Sequence, residues 1–334
     1  MGTAKWSRRA HLLFRASVAL ACVGALGTHG YAQTSDLKRL TGRVQSWDLK
    51  AAVYGEVLKE LEAFQATKPA LNQEWEHHLR YMLGKCAVLS GHPARGIESL
   101  KRADELTPDD LMTKVLLAKA GVYTAQLPVA QPPLQWLAGR QNARNWGNWA
   151  KRKLETLAEL GHRAPAFSMQ ASDGQTVSNQ TVAGKVVLID FWATWCGPCV
   201  RALPEIRKVY EQWKDTGDFY MLGASLDTSR AKMAAFVRSK KMPWPQTFDG
   251  RGWQMRLAQA FNVHSIPTLI VLDGQGCIRY RGHLGTDLQA TILVCANELA
   301  EKRAPEEAPP PTGEGDGGAT AGEAGAEPRA EEPR

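Results

Sequence analysis

Cysteine is scarce in this chain, six in 334 residues, which is too few for a small disulfide-stapled scaffold. Metal-finger spacing is missing as well: one C-x-x-C pair occurs, at Cys196 and Cys199, with no second pair and no histidine at finger distance. Beyond the first thirty residues no apolar run is long enough to span a bilayer, which takes roughly 20 residues. The formal charge of +7 is not gathered into any long Lys/Arg block, so it reads as a solvated basic surface and no nucleic-acid partner is expected. Disorder throughout is excluded by the 44% hydrophobic content, and the length leaves room for two domains.

The ends differ from the body. Residues 1–32 carry Lys5, Arg8, Arg9 and Arg15 and no acid, followed by the apolar stretch Ala16–Gly27 and small residues in Gly30-Tyr31-Ala32. This is the pattern of an export signal cut after Ala32, so the chain is expected outside the cytoplasm: periplasmic, or membrane-anchored and facing the periplasm if the segment is retained. Lipid attachment at Cys22 is a weaker reading, because Val23 and Leu26 continue the apolar run past it. Residues 303–334 hold eight acids and three arginines among Pro, Gly and Ala, a composition with almost nothing to bury, and are expected to be a disordered acidic tail.

Between these ends the texture changes once. Residues 35–160 show apolar spacing near 3.6, as in Val53, Val57, Leu61 and Phe64, and are expected to be an all-α helical-hairpin domain. Within it, Leu83-Gly84, Ala87, Gly96, Leu100, Ala103 and Pro108 resemble one tetratricopeptide-like unit over 77–110, whose small residues let two helices approach. Two readings stay open for this region: a short array that positions a partner, and a helical prefix packed on the next domain. Residues 161–302 carry strand signals at 185–191, 219–226 and 268–272, a turn at Asp273-Gly274-Gln275-Gly276 into a strand from Cys277, and helical patterns up to Trp213, over 229–240 and over 287–302. That order predicts an α/β fold, a mixed sheet with helices on both faces.

Cys196-Gly197-Pro198-Cys199 falls where the strand ending at Phe191 passes into a helix. A helix N-terminus offers free N–H groups and the positive end of the dipole, both of which favour a thiolate. Cys196, first and expected to be the more exposed, would attack; Cys199, one turn in, would resolve the mixed disulfide. Pro198 suits a first helical turn. A structural disulfide closing so small a loop gains little, so the pair reads as a redox-active disulfide, with no cofactor beyond itself and no metal.

The stretch Asp190-Phe191-Trp192-Ala193-Thr194-Trp195-Cys196-Gly197-Pro198-Cys199 resembles the active site of the thioredoxin superfamily. Ser265-Ile266-Pro267-Thr268-Leu269 resembles its cis-proline loop, Pro204 its helix-kinking proline and Gly282 the glycine after the last strand. Ala164-Pro165-Ala166-Phe167 and the insertion around 227–260 resemble the exported TlpA/ResA-type branch of redoxin-like proteins. The resemblance implies a thioredoxin-like fold over 161–302 and a thiol-disulfide oxidoreductase that acts on protein thiols and disulfides. It implies that Ile266-Pro267 is cis and offers backbone to an extended substrate, and that Asp190 is a buried carboxyl that takes the proton from Cys199. Trp195, with Gly197 and Pro198, would add substrate contact surface. The branch often has an acid three residues past the second cysteine; here that residue is Ala202, with Glu205 nearly a turn further on.

Gly-Pro between the cysteines resembles reducing thioredoxins, near about −270 mV, rather than strong oxidants near about −120 mV. A reductant is therefore expected, recharged by a membrane electron donor of the DsbD or CcdA kind, with cytochrome c maturation or a similar task as its role. The competing readings are a thiol peroxidase of redoxin type and a helical-repeat interaction protein using the domain for binding. Four strand residues and nine helix residues each rise about 13 Å. If the last helix folds back along the strand, Cys277 and Cys295 come level, so a structural disulfide between them is an expectation. Cys86, on an apolar helix face, is expected only to pack.

Overall fold

The structure, a computed structural model, describes residues 28–47, 50–67, 70–140 and 143–303. The export-signal reading up to residue 27, the reading of Cys22 and the acidic tail past Arg303 lie outside the described residues.

Among the described residues, seven helices come first: α1 (Thr28–Gly42), α2 (Ala51–Ala66), α3 (Gln73–Leu89), α4 (Pro93–Leu106), α5 (Leu111–Tyr123), α6 (Leu127–Gly139) and α7 (Arg144–Thr156). Their starts are chemically marked. The Asn72 side chain accepts from Trp75 N, and that of Asp110 from Thr113 N, each satisfying a donor that the first helical turn leaves over. Pro93 occupies the first turn of α4, where its missing N–H is harmless. Helices α3 and α4 meet through glycine: a Cβ on Gly96 would stand 3.0 Å from the Gly84 Cα, and one on Gly84 would run into Leu100 at 2.2 Å.

After a short 3₁₀ turn (Leu157–Glu159) comes the α/β region. Strands β1 (Ser168–Gln170) and β2 (Thr176–Ser178) form a small antiparallel pair. Then follow β3 (Val186–Trp192), α8 (Gly197–Trp213), β4 (Phe219–Ser225), α9 (Arg230–Ser239), β5 (Gln246–Thr247), α10 (Arg256–Ala260), β6 (Thr268–Leu272), β7 (Ile278–Gly282) and α11 (Thr286–Arg303). The five-stranded sheet has the order β5-β4-β3-β6-β7. Neighbours β3/β4 and β4/β5 are parallel, while β3/β6 and β6/β7 are antiparallel. This is a mixed sheet with a thioredoxin-like order, preceded by the helices. All seven residues of β3 are buried, as befits a central strand covered on both faces.

The boundary near residue 160 is softer than the sequence texture suggests. The described residues up to Lys302 fall in one compact unit. One core runs from Val88, Leu100 and the residues of α5 through the sheet to Cys295, while a second joins α1, α2 and most of α3. The cause is α5, buried from Val115 to Tyr123 on every side, so that it cannot serve as the outer face of a separate helical domain.

Charge fastens the same seam. Asp287, in the first turn of α11, receives Lys119 Nζ at 2.8 Å and Tyr123 Oη at 2.7 Å on one oxygen, and Trp149 Nε1 at 2.6 Å and Lys153 Nζ at 3.1 Å on the other. Burial works against its charge, but Lys119 and Lys153 outweigh it and hold the carboxyl well below the usual carboxylate range. On β7, Arg279 reaches Glu298, Asp273 and the carbonyl of Tyr123, and Arg281 reaches Glu159.

The disulfide expected between Cys277 and Cys295 is not formed; both are free thiols, as is Cys86. Helix α11 does fold back along β7, but the two thiols are not joined. Arg279 on β7 reaches Glu298 on that helix, yet Cys277 is only half-buried just before the strand while Cys295 is buried. Burial pushes the Cys86 and Cys295 thiols up to about 12, which makes both poor nucleophiles.

Asp287→Ala should destabilise the protein by about 3–5 kcal/mol in urea denaturation, because Lys119 and Lys153 lose their counter-charge in a site where each is about one-tenth exposed. Since the folded carboxyl ionises below the unfolded value of about 3.9, this stabilisation is complete above that pH and is lost as pH falls below it. Asp287→Asn should therefore flatten the acid limb of the stability curve; an unchanged limb would rule the network out as its source.

Candidate active site

Strand β3 ends at Trp192, and four residues later Cys196 caps α8. The capping is literal: Cys196 has extended backbone and its Sγ accepts from Cys199 N at 3.2 Å. Cys196 and Cys199 are joined in a disulfide with Cα atoms 5.3 Å apart. Reduced, the Cys196 sulfur would sit among the unpaired N–H groups of the first turn, where negative charge is favoured. Pro198 lies in that turn, and Pro204 interrupts the helix further on. Exposure separates the cysteines less than expected, 5% for Cys196 and 3% for Cys199. The contrast lies around them: Gly197, Pro198 and Trp195 are exposed, with Trp195 at 57%.

Register brings the second loop to the same end of the sheet. Phe191 pairs with Thr268, so the half-buried Ile266 and Pro267 stand just beyond the C-terminal end of β3. The Ile266–Pro267 bond is cis. Thr268 Oγ1 donates to the Ser265 carbonyl at 2.7 Å, and His283 Nδ1 donates to the Pro267 carbonyl at 2.8 Å. These bonds hold the loop from both sides.

Asp190 lies two residues before the end of β3, opposite Gly223 and Leu269. It is 1% exposed, and neither carboxyl oxygen has a hydrogen-bond partner among the described residues. Burial alone pushes its pKa up to about 7. The space above Gly223 is taken by the Gln246 side chain, which accepts from Trp192 Nε1 at 2.9 Å and donates to the Trp244 carbonyl. Ala202 is half-buried on α8, and Glu205 is exposed and paired with Lys208, so neither supplies a second buried acid there.

Asp227, just past β4, is the residue that sequence reading missed. It is 3% exposed and accepts from Thr194 N at 3.0 Å, Thr194 Oγ1 at 2.6 Å and Ser225 Oγ at 2.8 Å. It pins the backbone that delivers Trp195 and Cys196. The only signal in the sequence was an acid after an apolar strand, which is too common to single out. Trp253, from a 3₁₀ turn (Gly252–Gln254), also reaches the site, its ring centroid 6.1 Å from that of Trp195. Among the described residues no cluster of His, Cys, Asp and Glu could hold a metal ion.

A family profile described as Redoxin matches residues 159–289, within the α/β region. The chain is 33% identical over 135 residues to the thioredoxin-like protein YneN of Bacillus subtilis, spanning 40% of this chain and 76% of that one. It is 26% identical over 122 residues to the thiol-disulfide oxidoreductase ResA of Bacillus thuringiensis subsp. konkukian, spanning 36% and 68%. A solved thiol-disulfide oxidoreductase from Bacteroides fragilis is 28% identical over 42% of this chain and 99% of that chain, with a TM-score of 0.36.

A carboxyl that ionises near 7 when folded and near 4 when unfolded keeps a proton that the unfolded chain gives up between those values. Stability of the oxidised protein should therefore fall as pH rises from about 4 to 7. Asp190→Asn should remove that decline and be more stable than wild type at pH 8, by about 3–4 kcal/mol. Parallel pH dependences for the two proteins in urea denaturation would contradict this.

Proposed function

Because the chain belongs to the thioredoxin superfamily, in its TlpA/ResA-type redoxin branch, we propose that its thiol-disulfide oxidoreductase activity runs as a reductant of protein disulfides outside the cytoplasm. The observation that carries this reading is the disulfide at the head of α8, with a buried, unpartnered carboxyl on the strand that leads into it.

In the proposed cycle, Cys196 as thiolate attacks one sulfur of a client disulfide, forms a mixed disulfide and releases the client's other sulfur as a thiolate. Asp190, ionised at neutral pH or above, takes the proton from Cys199. The Cys199 sulfur then attacks Cys196 Sγ, the protein disulfide forms, and the client leaves as a dithiol carrying two electrons. A group with a pKa near 7 can both accept and return that proton at neutral pH, whereas an exposed carboxylate would be too weak a base. The departure at Ala202 makes Asp190 the acid on which this step depends. Ile266 and Pro267, at the same end of the sheet, would offer backbone to the client, and Gly197, Pro198 and Trp195 contact surface.

Residues 1–32 support a periplasmic or periplasm-facing location, and such a reductant needs recharging by a membrane electron donor of the DsbD or CcdA type. Cytochrome c maturation, in which thiols must be kept reduced, is the client role we favour; the name of the ResA relatives is consistent with a disulfide exchanger of this kind. The peroxidase reading loses ground because the sulfur that would be oxidised already has its resolving partner three residues away.

The protein should reduce insulin in the presence of dithiothreitol, Cys196→Ser should abolish that activity, and Cys199→Ala should accumulate a mixed disulfide isolable by non-reducing gel. The midpoint of its titration against glutathione or dithiothreitol should fall nearer about −270 mV than −120 mV. A potential above about −150 mV would make it an oxidant, and peroxide turnover without insulin reduction would make it a peroxidase. Asp190→Asn should slow release of the mixed disulfide at pH 7 far more than its formation.

A further inference from the structure

The large hydrophobic side chains that are exposed among the described residues are Trp47, Trp195 and Trp253, and two of the three touch each other beside the disulfide. Exposed tryptophan in ring contact is unusual on a surface with no partner to cover it. Neither ring is on a loose segment. Trp195 follows Thr194, which Asp227 holds by two hydrogen-bonding groups. Trp253 is carried on a loop in which Asp249 accepts from Arg251 N at 3.0 Å and Arg256 N at 2.9 Å. Gln259 Nε2 donates to the Trp253 carbonyl at 2.7 Å, and Gly252, with φ of +55°, lets the backbone close onto Thr228.

Exposed positive charge lies close to this pair. Arg201 lies beside Gly197, its Nη1 3.4 Å from where a Cβ on that glycine would stand. Arg251 and Arg256 flank Trp253 on the same loop, and all three arginines are exposed with no ion-pair partner among the described residues. Of the acids nearby, Glu205 pairs with Lys208, Asp227 is buried, and Asp249 is half-buried against two backbone N–H groups, which leaves positive charge in excess at the surface.

We propose that Trp195 and Trp253, with Arg201 beside Gly197 and Arg251 and Arg256 two and three residues from Trp253 in the chain, form the recognition surface for an extended client segment that carries acidic side chains and an aromatic anchor next to its disulfide. This rests on the reading that the site exchanges disulfides with other proteins, and it names the client chemistry that reading leaves open. The aromatic anchor would pack against the paired indoles, preorganised so that little ordering is lost on docking, while the guanidinium groups steer acidic segments toward the sulfur.

Three synthetic peptides test it, each with one cysteine held as a mixed disulfide with 2-mercaptoethanol and flanked by Phe and Glu, by Ala and Glu, or by Phe and Lys. The prereduced full-length protein passes two electrons to each, yielding peptide thiol, 2-mercaptoethanol and the Cys196–Cys199 disulfide. Rates are normalised to the same protein's rate with hydroxyethyl disulfide. The Phe/Glu peptide should react about fivefold faster than Ala/Glu. It should react about tenfold faster than Phe/Lys at low salt, a gap that closes in 0.5 M salt. Trp253→Ala should erase the first preference, and the double variant Arg251→Glu/Arg256→Glu should reverse the second. Equal normalised rates for the three peptides, or preferences that survive both variants, would overturn the proposal. Should neither peptides nor hydroxyethyl disulfide be reduced, the redox reading fails by itself. The surface is then judged by tryptophan-fluorescence titration with serine analogues of the three peptides, where tighter binding of Phe/Glu supports it and equal binding refutes it.

Discussion

Strand β3 must be buried on both faces and yet end in a reactive loop, and that constraint organises the rest of the molecule. Its apolar residues make it the centre of the sheet, with β4 on one side and β6 on the other. The same centrality buries Asp190 with no hydrogen-bond donor among the described residues, at a cost in stability whenever the group is charged. A structural role would be served better by an asparagine or an apolar residue at that position. In the cycle proposed above, the buried acid supplies the proton acceptor, two residues from the strand's end.

The loop after β3 is made exact by a different acid. Asp227 has what Asp190 lacks, three hydrogen bonds, and it fixes Thr194 in place. The two carboxyls show how environment divides like groups: burial without partners raises the pKa of one, as its proposed proton-transfer role requires, and the one with partners holds geometry. Helix α8 then begins at Cys196 because the thiol itself caps it, so the reactive atom is also the atom on which the helix start depends.

Much of this was legible in the sequence because the signals are local. A run such as Val186–Phe191, a turn such as Asp273–Gly276 and a C-x-x-C at a strand-to-helix junction each declare themselves within ten residues. Strands β1, β2 and β5 were not legible, being two or three residues long and partly polar. Nor was the placement of α11 against β7, which left Cys277 and Cys295 as free thiols; that placement depends on side-chain packing between the elements, which spacing arithmetic does not see. Asp227 and Trp253 were missed for the same reason, since their meaning lies wholly in what they touch.

The soft boundary near residue 160 bears on how the helical region can contribute. A partner-binding array joined by a flexible linker would move independently of the redox site. Here α5 is buried in the core shared with the sheet, and Asp287, Arg279 and Arg281 tie α5, α7 and the turn after α7 to β7 and α11. Sheet strand β7 in turn pairs with β6, which begins at the cis-proline loop. Anything that docks on helix α7 therefore meets a surface whose position relative to Ile266 and Pro267 is fixed through packed and hydrogen-bonded elements. Among the two readings that the sequence left open, a helical prefix packed on the redox region is the one this geometry favours, and a partner held there would be presented to the disulfide in a set orientation rather than tethered near it.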